Sequence, residues 1–134
     1  MKLLPDTNVL VYDTFEDSSR HHEAVKIIDD AQEMTIPAII IHEFIWVMLK
    51  YSVQPSTITA KIREYLEDPR TRYMDEPVDA LADALKMLEE DKAELKNVND
   101  YIILSLAKRF NVVLATFDTE LKKIAATKGV AVVP

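Results

Sequence analysis

Four carboxylates stand where chemistry could use them. Asp6 lies two residues beyond a short apolar run, Leu3-Leu4, and Asp118 lies three residues beyond another, Val112 to Ala115. Each is followed by residues that begin a helix, so each also suits the ordinary work of Asp as an N-cap or turn former. Asp100 falls in the first turn of the most apolar helical segment, where an acid also favours the helix dipole. It shares a face with Ile103, Leu104 and Ala107 and so points inward, where a carboxylate needs a partner. Glu43 sits in mid-helix, with Ile39, Ile40, Trp46 and Val47 as neighbours at spacings of three and four. The nearest base on its helix at helical spacing, Lys50, is seven residues away and too far for a simple pair.

If these acids gather, they repel. At ~5 Å and an effective dielectric near 20, each pair costs about 3 kcal/mol. Either some stay protonated or a divalent cation sits among them. Carboxylate ligation with open water positions suits Mg²⁺ or Mn²⁺.

Composition removes most other chemistries. The chain of 134 residues holds one glycine, Gly129, so no glycine-rich phosphate cradle can be written. It holds no cysteine, hence no thiol nucleophile, disulfide frame or thiolate metal site. His42-Glu43 begins like a zinc-protease helix, but the second histidine position is Trp46. His21 and His22 lie at a polar helix start and read as solvated, which leaves no histidine pair for attack by an RNA 2′-hydroxyl. A formal net charge of −7 argues against a general basic nucleic-acid surface, not against a nucleic-acid enzyme whose acids are neutralised by metal. The longest apolar stretch, Ile36 to Ile41, contains Pro37 and is too short to span a bilayer. With no signal-peptide core at the N-terminus, the expected location is cytoplasmic, without a membrane partner.

The elements that must position the acids read as short β-rich runs alternating with helices. Strands are expected at Leu3-Leu4, Met34 to Ile36, Thr71 to Met74, Val112 to Ala115 and Val130 to Val133. Helices are expected from about Arg20 to Ala31, Ala38 to Val53 with Pro37 as the first helical residue, and Pro55 to Glu67. A further helix opens at Pro77, with Val78, Leu81, Leu85 and Leu88 as its stripe. Another runs to Phe110 behind an Asn97 or Asn99 cap, and a last one spans Thr119 to Thr127. The pattern is that of an α/β domain with a parallel sheet, one domain over residues 1–134. In such sheets active groups gather beyond the C-terminal strand ends, where Asp6 and Asp118 fall.

Together these segments resemble the PIN domain. Asp6-Thr7-Asn8-Val9-Leu10 follows the first strand, and Glu43 lies in the second long helix. Asn99-Asp100-Tyr101-Ile102-Ile103 opens the apolar helix, and Thr116-Phe117-Asp118 follows the next strand. Length and element order are similar to the small VapC-like toxin members over essentially the whole chain. The resemblance implies a three-layer fold with a parallel sheet of about five strands flanked by helices, and an Mg²⁺- or Mn²⁺-dependent ribonuclease. It implies that Asp6, Glu43, Asp100 and Asp118 ligate the metal directly or through water. Thr7 and Asn8 would shape the turn around Asp6, and Thr116 would bond within the acidic cluster. The chain departs from some members in having no further acid close behind Asp118 except Glu120, followed by Lys122 and Lys123. Pro5 before Asp6 suggests that the strand ends there.

Attack by a metal-activated water would leave a 5′-phosphate and a 3′-hydroxyl. Lys50, Arg109, Lys122 and Lys123 are candidates to meet the RNA backbone, each with a solvated-face reading beside it. The implied partners are an RNA substrate, an antitoxin protein whose arginine could pair two of the acids, and a second copy of the chain. The homodimer expectation rests on Phe44, Trp46, Met48, Leu49, Tyr51, Val53, Ile58, Ile62, Tyr65 and Leu66, more apolar surface than one sheet face should cover. Two other readings compete. A PIN-like module that only binds protein has no use for Glu43 on an apolar face. A phosphatase of the haloacid-dehalogenase type wants an acid where Asn8 stands.

Overall fold

The computed structural model describes residues Met1–Pro134. Five strands, β1 (Lys2–Pro5), β2 (Glu33–Pro37), β3 (Thr71–Met74), β4 (Val113–Ala115) and β5 (Val132–Val133), form one sheet in the order β3-β2-β1-β4-β5. Every pairing is parallel. Seven helices connect and cover it: α1 (Thr7–Thr14), α2 (His21–Asp29), α3 (Ala38–Lys50), α4 (Pro55–Leu66), α5 (Val78–Glu90), α6 (Val98–Phe110) and α7 (Thr119–Thr127). The expected parallel α/β architecture is the observed one. The chain winds outward from β1 to β3, then returns across β1 to β4. That reversal opens a crevice between the C-terminal ends of β1 and β4.

A sheet covered on both faces needs strands that are apolar throughout. Leu3 and Leu4 of β1, Met34 and Ile36 of β2 and Leu114 of β4 are fully buried. They join Val9 and Leu10 of α1, Ile40 and Phe44 of α3, and Leu104 and Leu106 of α6 in one core. Each such side chain contributes roughly 1.5–3 kcal/mol by leaving water.

Several expectations are corrected in detail. The helix that follows β1, α1, is a full two turns and starts at Thr7 because Asp6 caps it. Pro37 is not helical. It ends β2 with φ −69° and ψ 154°, and α3 begins after it. Glu76, from the loop before α5, accepts the free N–H of Ile39 at 2.6 Å and so closes that helix end. The buried face of α5 is Ala80, Ala84 and Leu88, whereas Val78 and Leu85 are 78 % and 56 % exposed. Small residues let α6 come close enough for the Ser105 hydroxyl to donate to the Ala80 carbonyl at 2.7 Å. Asn97 stands at the cap of α6 but makes no side-chain capping bond. The last strand is confined to Val132–Val133. No helix is long and apolar enough to cross a membrane.

Candidate active site

Asp6 leaves β1 at its C-terminal end, where its N–H still donates to Ala115 of β4 at 2.8 Å. Its side chain turns back as the N-cap of α1, with Oδ1 accepting from Thr7 N at 2.8 Å. Oδ2 accepts from the Thr116 hydroxyl at 2.7 Å and from Asn8 Nδ2 at 3.3 Å. Thr116 is wholly buried, and its Oγ1 also accepts from Asn8 Nδ2 (3.2 Å) and from the Asp118 N–H (3.1 Å). Asn8 Oδ1 in turn accepts from Phe117 N at 3.2 Å. Thr7, Asn8 and Thr116 therefore stitch the exit of β1 to the exit of β4, and Asp6 is locked between them. Asp6 is only 7 % exposed. Burial raises its pKa to about 6, against the pull of its bonds from Thr116 and Thr7, with Glu43 and Asp118 adding repulsion.

Glu43 reaches the same place from α3. Its Oε2 accepts from the Thr7 hydroxyl and its Oε1 from Asn99 Nδ2, both at 2.8 Å. Its partners are neutral donors, so no base compensates its charge. Asn99 thus serves Glu43 and not the start of α6. Asp118 is the N-cap of α7, where Oδ1 accepts from Glu120 N at 2.9 Å and Leu121 N at 3.3 Å. The structural roles foreseen for Asp6 and Asp118 both hold, and both caps still leave the carboxylate at the crevice.

Asp100 differs from the other three. It accepts no hydrogen bond from the protein, and its pKa rises to about 6. Burial is the largest cause, followed by repulsion from Asp6, Asp118 and Glu43. Four carboxylates from four segments thus face one cleft of about 370 Å³. Thr7, Asn8, Val11, Tyr12, Val47 and Tyr51 complete its wall, and no Lys, Arg or His lines it.

No three of these acids are grouped so as to hold a metal ion as they stand. The donor set nevertheless fits a hard divalent cation. It is all oxygen and uncompensated, and it includes one half-buried carboxylate with no partner. Glu120 lends only its N–H to Asp118, and its side chain is exposed.

The basic residues are redistributed. Arg109 pairs with Asp83 at 3.2 Å at the far end of α6, and Lys122 donates to the Pro134 carbonyl at 3.1 Å. Arg20 lies over the Phe117 ring, 4.9 Å from its centroid. Nothing in the sequence around Arg20 announces that contact. His21 is not free in solvent: it is half-buried with Nδ1 2.9 Å from the Tyr12 carbonyl. Tyr12, Val11, Val47 and Tyr51 carry no motif and enter the cleft only through the packing of α1 on α3.

The whole fold is similar to that of toxin–antitoxin proteins of known structure. Against VapBC2 from Rickettsia felis, bound to a promoter DNA fragment, the TM-score is 0.72 at 19 % identity. That match covers 99 % of this chain and 98 % of the other. Against VapC20 from Mycobacterium tuberculosis, a sarcin-ricin loop cleaving toxin, it is 0.75 at 15 % identity, covering 90 % and 93 %. A toxin–antitoxin complex from Klebsiella pneumoniae gives 0.68 at 23 % identity, covering 98 % and 96 %. No curated protein matches the sequence at a significant level. The family model for the PIN domain matches residues 3–127, almost the full length, and the chain belongs to the PIN-domain family.

Proposed function

We propose that this protein is an endoribonuclease that hydrolyses RNA phosphodiesters with the help of Mg²⁺ or Mn²⁺, and that it is the toxin of a toxin–antitoxin pair. The observation that carries the reading is the meeting of Asp6, Glu43, Asp100 and Asp118 in a cleft without a single base. Membership of a nuclease-bearing family agrees with it. So does the likeness to VapBC2 and VapC20.

Asp6, Glu43, Asp100 and Asp118 would hold the cation directly or through water. When bound, it supplies a water of lowered pKa and neutralises charge growing on the phosphate. The chain's own residues prepare the place. Thr116, Thr7 and Asn8 fix the Asp6 carboxylate, and Thr7 and Asn99 fix Glu43. Asp100 remains free of competing donors, ready to accept a cation. The water oxygen bonds to phosphorus, the bond to the 3′ oxygen breaks, and that oxygen takes a proton. The products carry a 5′-phosphate and a 3′-hydroxyl.

Incubation of unstructured RNA with the protein and Mg²⁺ tests this. Cleavage with those end groups, abolished by EDTA and by Asp100→Asn, is the expected result. Cleavage that survives both would remove the reading. Release of phosphate from a small phosphomonoester would instead favour the phosphatase alternative.

The antitoxin would act from the same cleft. With four acids and no base, the cleft attracts a guanidinium able to pair two carboxylates. Unchanged antitoxin affinity in an Asp100→Asn/Asp118→Asn protein would make the inhibition steric. The homodimer reading has a narrower basis than the sequence implied. Phe44, Met48, Ile58 and Tyr65 are buried in this chain's own core, which leaves Leu49 and Tyr51 as the large exposed residues of that set outside the Trp46 cleft. Light scattering at micromolar concentration decides it. A cytoplasmic location follows from the RNA substrate in this reading.

A further inference from the structure

Beside the acidic cleft lies a second one, of about 500 Å³, lined by Ile39, His42, Glu43, Trp46, Val47 and Asn99. The two adjoin, because Glu43 and Val47 belong to both walls. Trp46, one helical turn beyond Glu43, is 64 % exposed although it is the largest apolar side chain in the protein. Nothing in the fold requires it there, since the core beneath α3 is filled by Ile40, Phe44 and Met48. The same cleft offers polar edges. Asn99 gives its Nδ2 to Glu43 and keeps Oδ1 without a partner, and the exposed His42 makes no side-chain hydrogen bond. Lys50 holds its ammonium over one face of the Trp46 ring, 5.1 Å from its centroid, so a base would stack on the other face or displace it.

We propose that this second cleft is a subsite for one unpaired nucleotide of the RNA, with its base stacked on Trp46, its edge read by Asn99 Oδ1 and His42, and a neighbouring phosphate met by Lys50. The inference rests on the nuclease reading above and adds the form of RNA accepted. The chain has a net charge of −7 and keeps basic residues out of the acidic wall, so a broad phosphate grip is not available. Stacking on an aromatic face holds a nucleotide without that grip, and it needs a base that is not paired. A planar ring, two free polar groups and one cation fit a nucleotide better than an apolar protein segment, which would leave His42 and Asn99 Oδ1 facing carbon. Because the subsite adjoins the four acids through Glu43, the bound nucleotide would lie next to the phosphate to be cut.

Trp46 is the only tryptophan, so its emission reports the subsite directly. The Asp100→Asn protein is used so that the RNA survives the titration, in Mg²⁺ buffer. An unstructured single-stranded RNA decamer should quench Trp46 saturably, and a blunt duplex of the same sequence should not. In the otherwise native protein, Trp46→Ala should raise KM about tenfold, in the range that loss of one stacked base produces, with little change in kcat, and Trp46→Phe should restore most of it. Binding of a labelled decamer by anisotropy with unchanged emission would overturn the subsite, as would equal quenching by duplex or no binding of either RNA. Emission that shifts with protein concentration alone would assign the groove to a second copy and also overturn it. Cleavage by the native protein is followed in parallel. Cleavage without quenching removes the subsite and leaves the nuclease, whereas absence of cleavage removes the reading beneath it.

Discussion

Asp91 and Asp100 stand nine residues apart, and their surroundings drive them in opposite directions. Asp91, just beyond α5, accepts from Lys128 Nζ and from the Tyr101 hydroxyl, each at 2.7 Å, and these bonds hold its carboxyl below the usual range. Asp68 behaves likewise beside Arg70. Asp100 has neither base nor donor, and burial among three other acids pushes it up to about 6. Clefts repeat the contrast. The one between α5 and α6 is larger, about 530 Å³, but its Asp83 and Glu90 share it with Lys86, Lys108 and Arg109. The acidic cleft is smaller and of one sign. Uncompensated charge, not size, separates the acidic cleft from a place where the surface is merely concave.

The sharpest way to break the contrast is to make one conservative change on each side of it. Asp100→Asn should lower RNA cleavage by at least the roughly 10- to 100-fold that follows loss of a metal's outer-shell partner, read as kcat/KM in Mg²⁺. Asp91→Asn should leave that rate within about twofold. Equal losses would mean that the two acids differ in name only.

The next effect is on stability. Metal at 100 times its Kd should add about 2.7 kcal/mol and raise Tm by several degrees, through binding to the folded state alone. Asp100→Asn should weaken that rise. In the absence of metal the same variant should melt higher than the native protein, because it removes one of four repelling charges. Calorimetry of both proteins in EDTA and in Mn²⁺ checks each part.

The pH dependence sharpens the comparison further. Asp6 and Asp100 have folded pKa values near 6, above the unfolded value near 4, so the folded state binds more protons between these limits. Their contribution to stability is fully present below about pH 4 and is lost as pH rises through 6. Asp68 and Asp91, with lowered values, act with opposite sign, and their contribution is lost as pH falls below 4. The EDTA-treated protein should therefore melt lower at pH 7 than at pH 5, and Asp100→Asn should flatten the difference. A Tm that climbs steadily from pH 5 to 8 would contradict repelling carboxylates.

The smallest effect belongs to the compensated side. Lys128→Met should cost at most about 1 kcal/mol, the scale of a partly exposed ion pair, with no change in cleavage. Urea unfolding measures it.

The sequence by itself determined the alternation of apolar runs and helices, hence the parallel sheet, because a strand buried on both faces must be apolar throughout and its crossover must be helical. It also determined which acids had no local account: Glu43 has no base at helical spacing, and Asp100 faces inward from the first turn of α6. Local chemistry was legible where a side chain acts on its own neighbours, as in the caps that Asp6 and Asp118 form. What periodicity could not show is how close two helices come. On α5 the larger Val78 and Leu85 were the obvious stripe, and only the approach of Ser105 to Ala80 explains why the alanines face inward. Tertiary structure alone decided that Thr7 and Asn99 share Glu43, that Arg109 is spent on Asp83 and that Arg20 lies over Phe117. It also decided that Asp100 is left without a donor, since a pKa or an ion pair depends on atoms within a few ångströms, and in this chain those atoms come from segments as much as 110 residues apart.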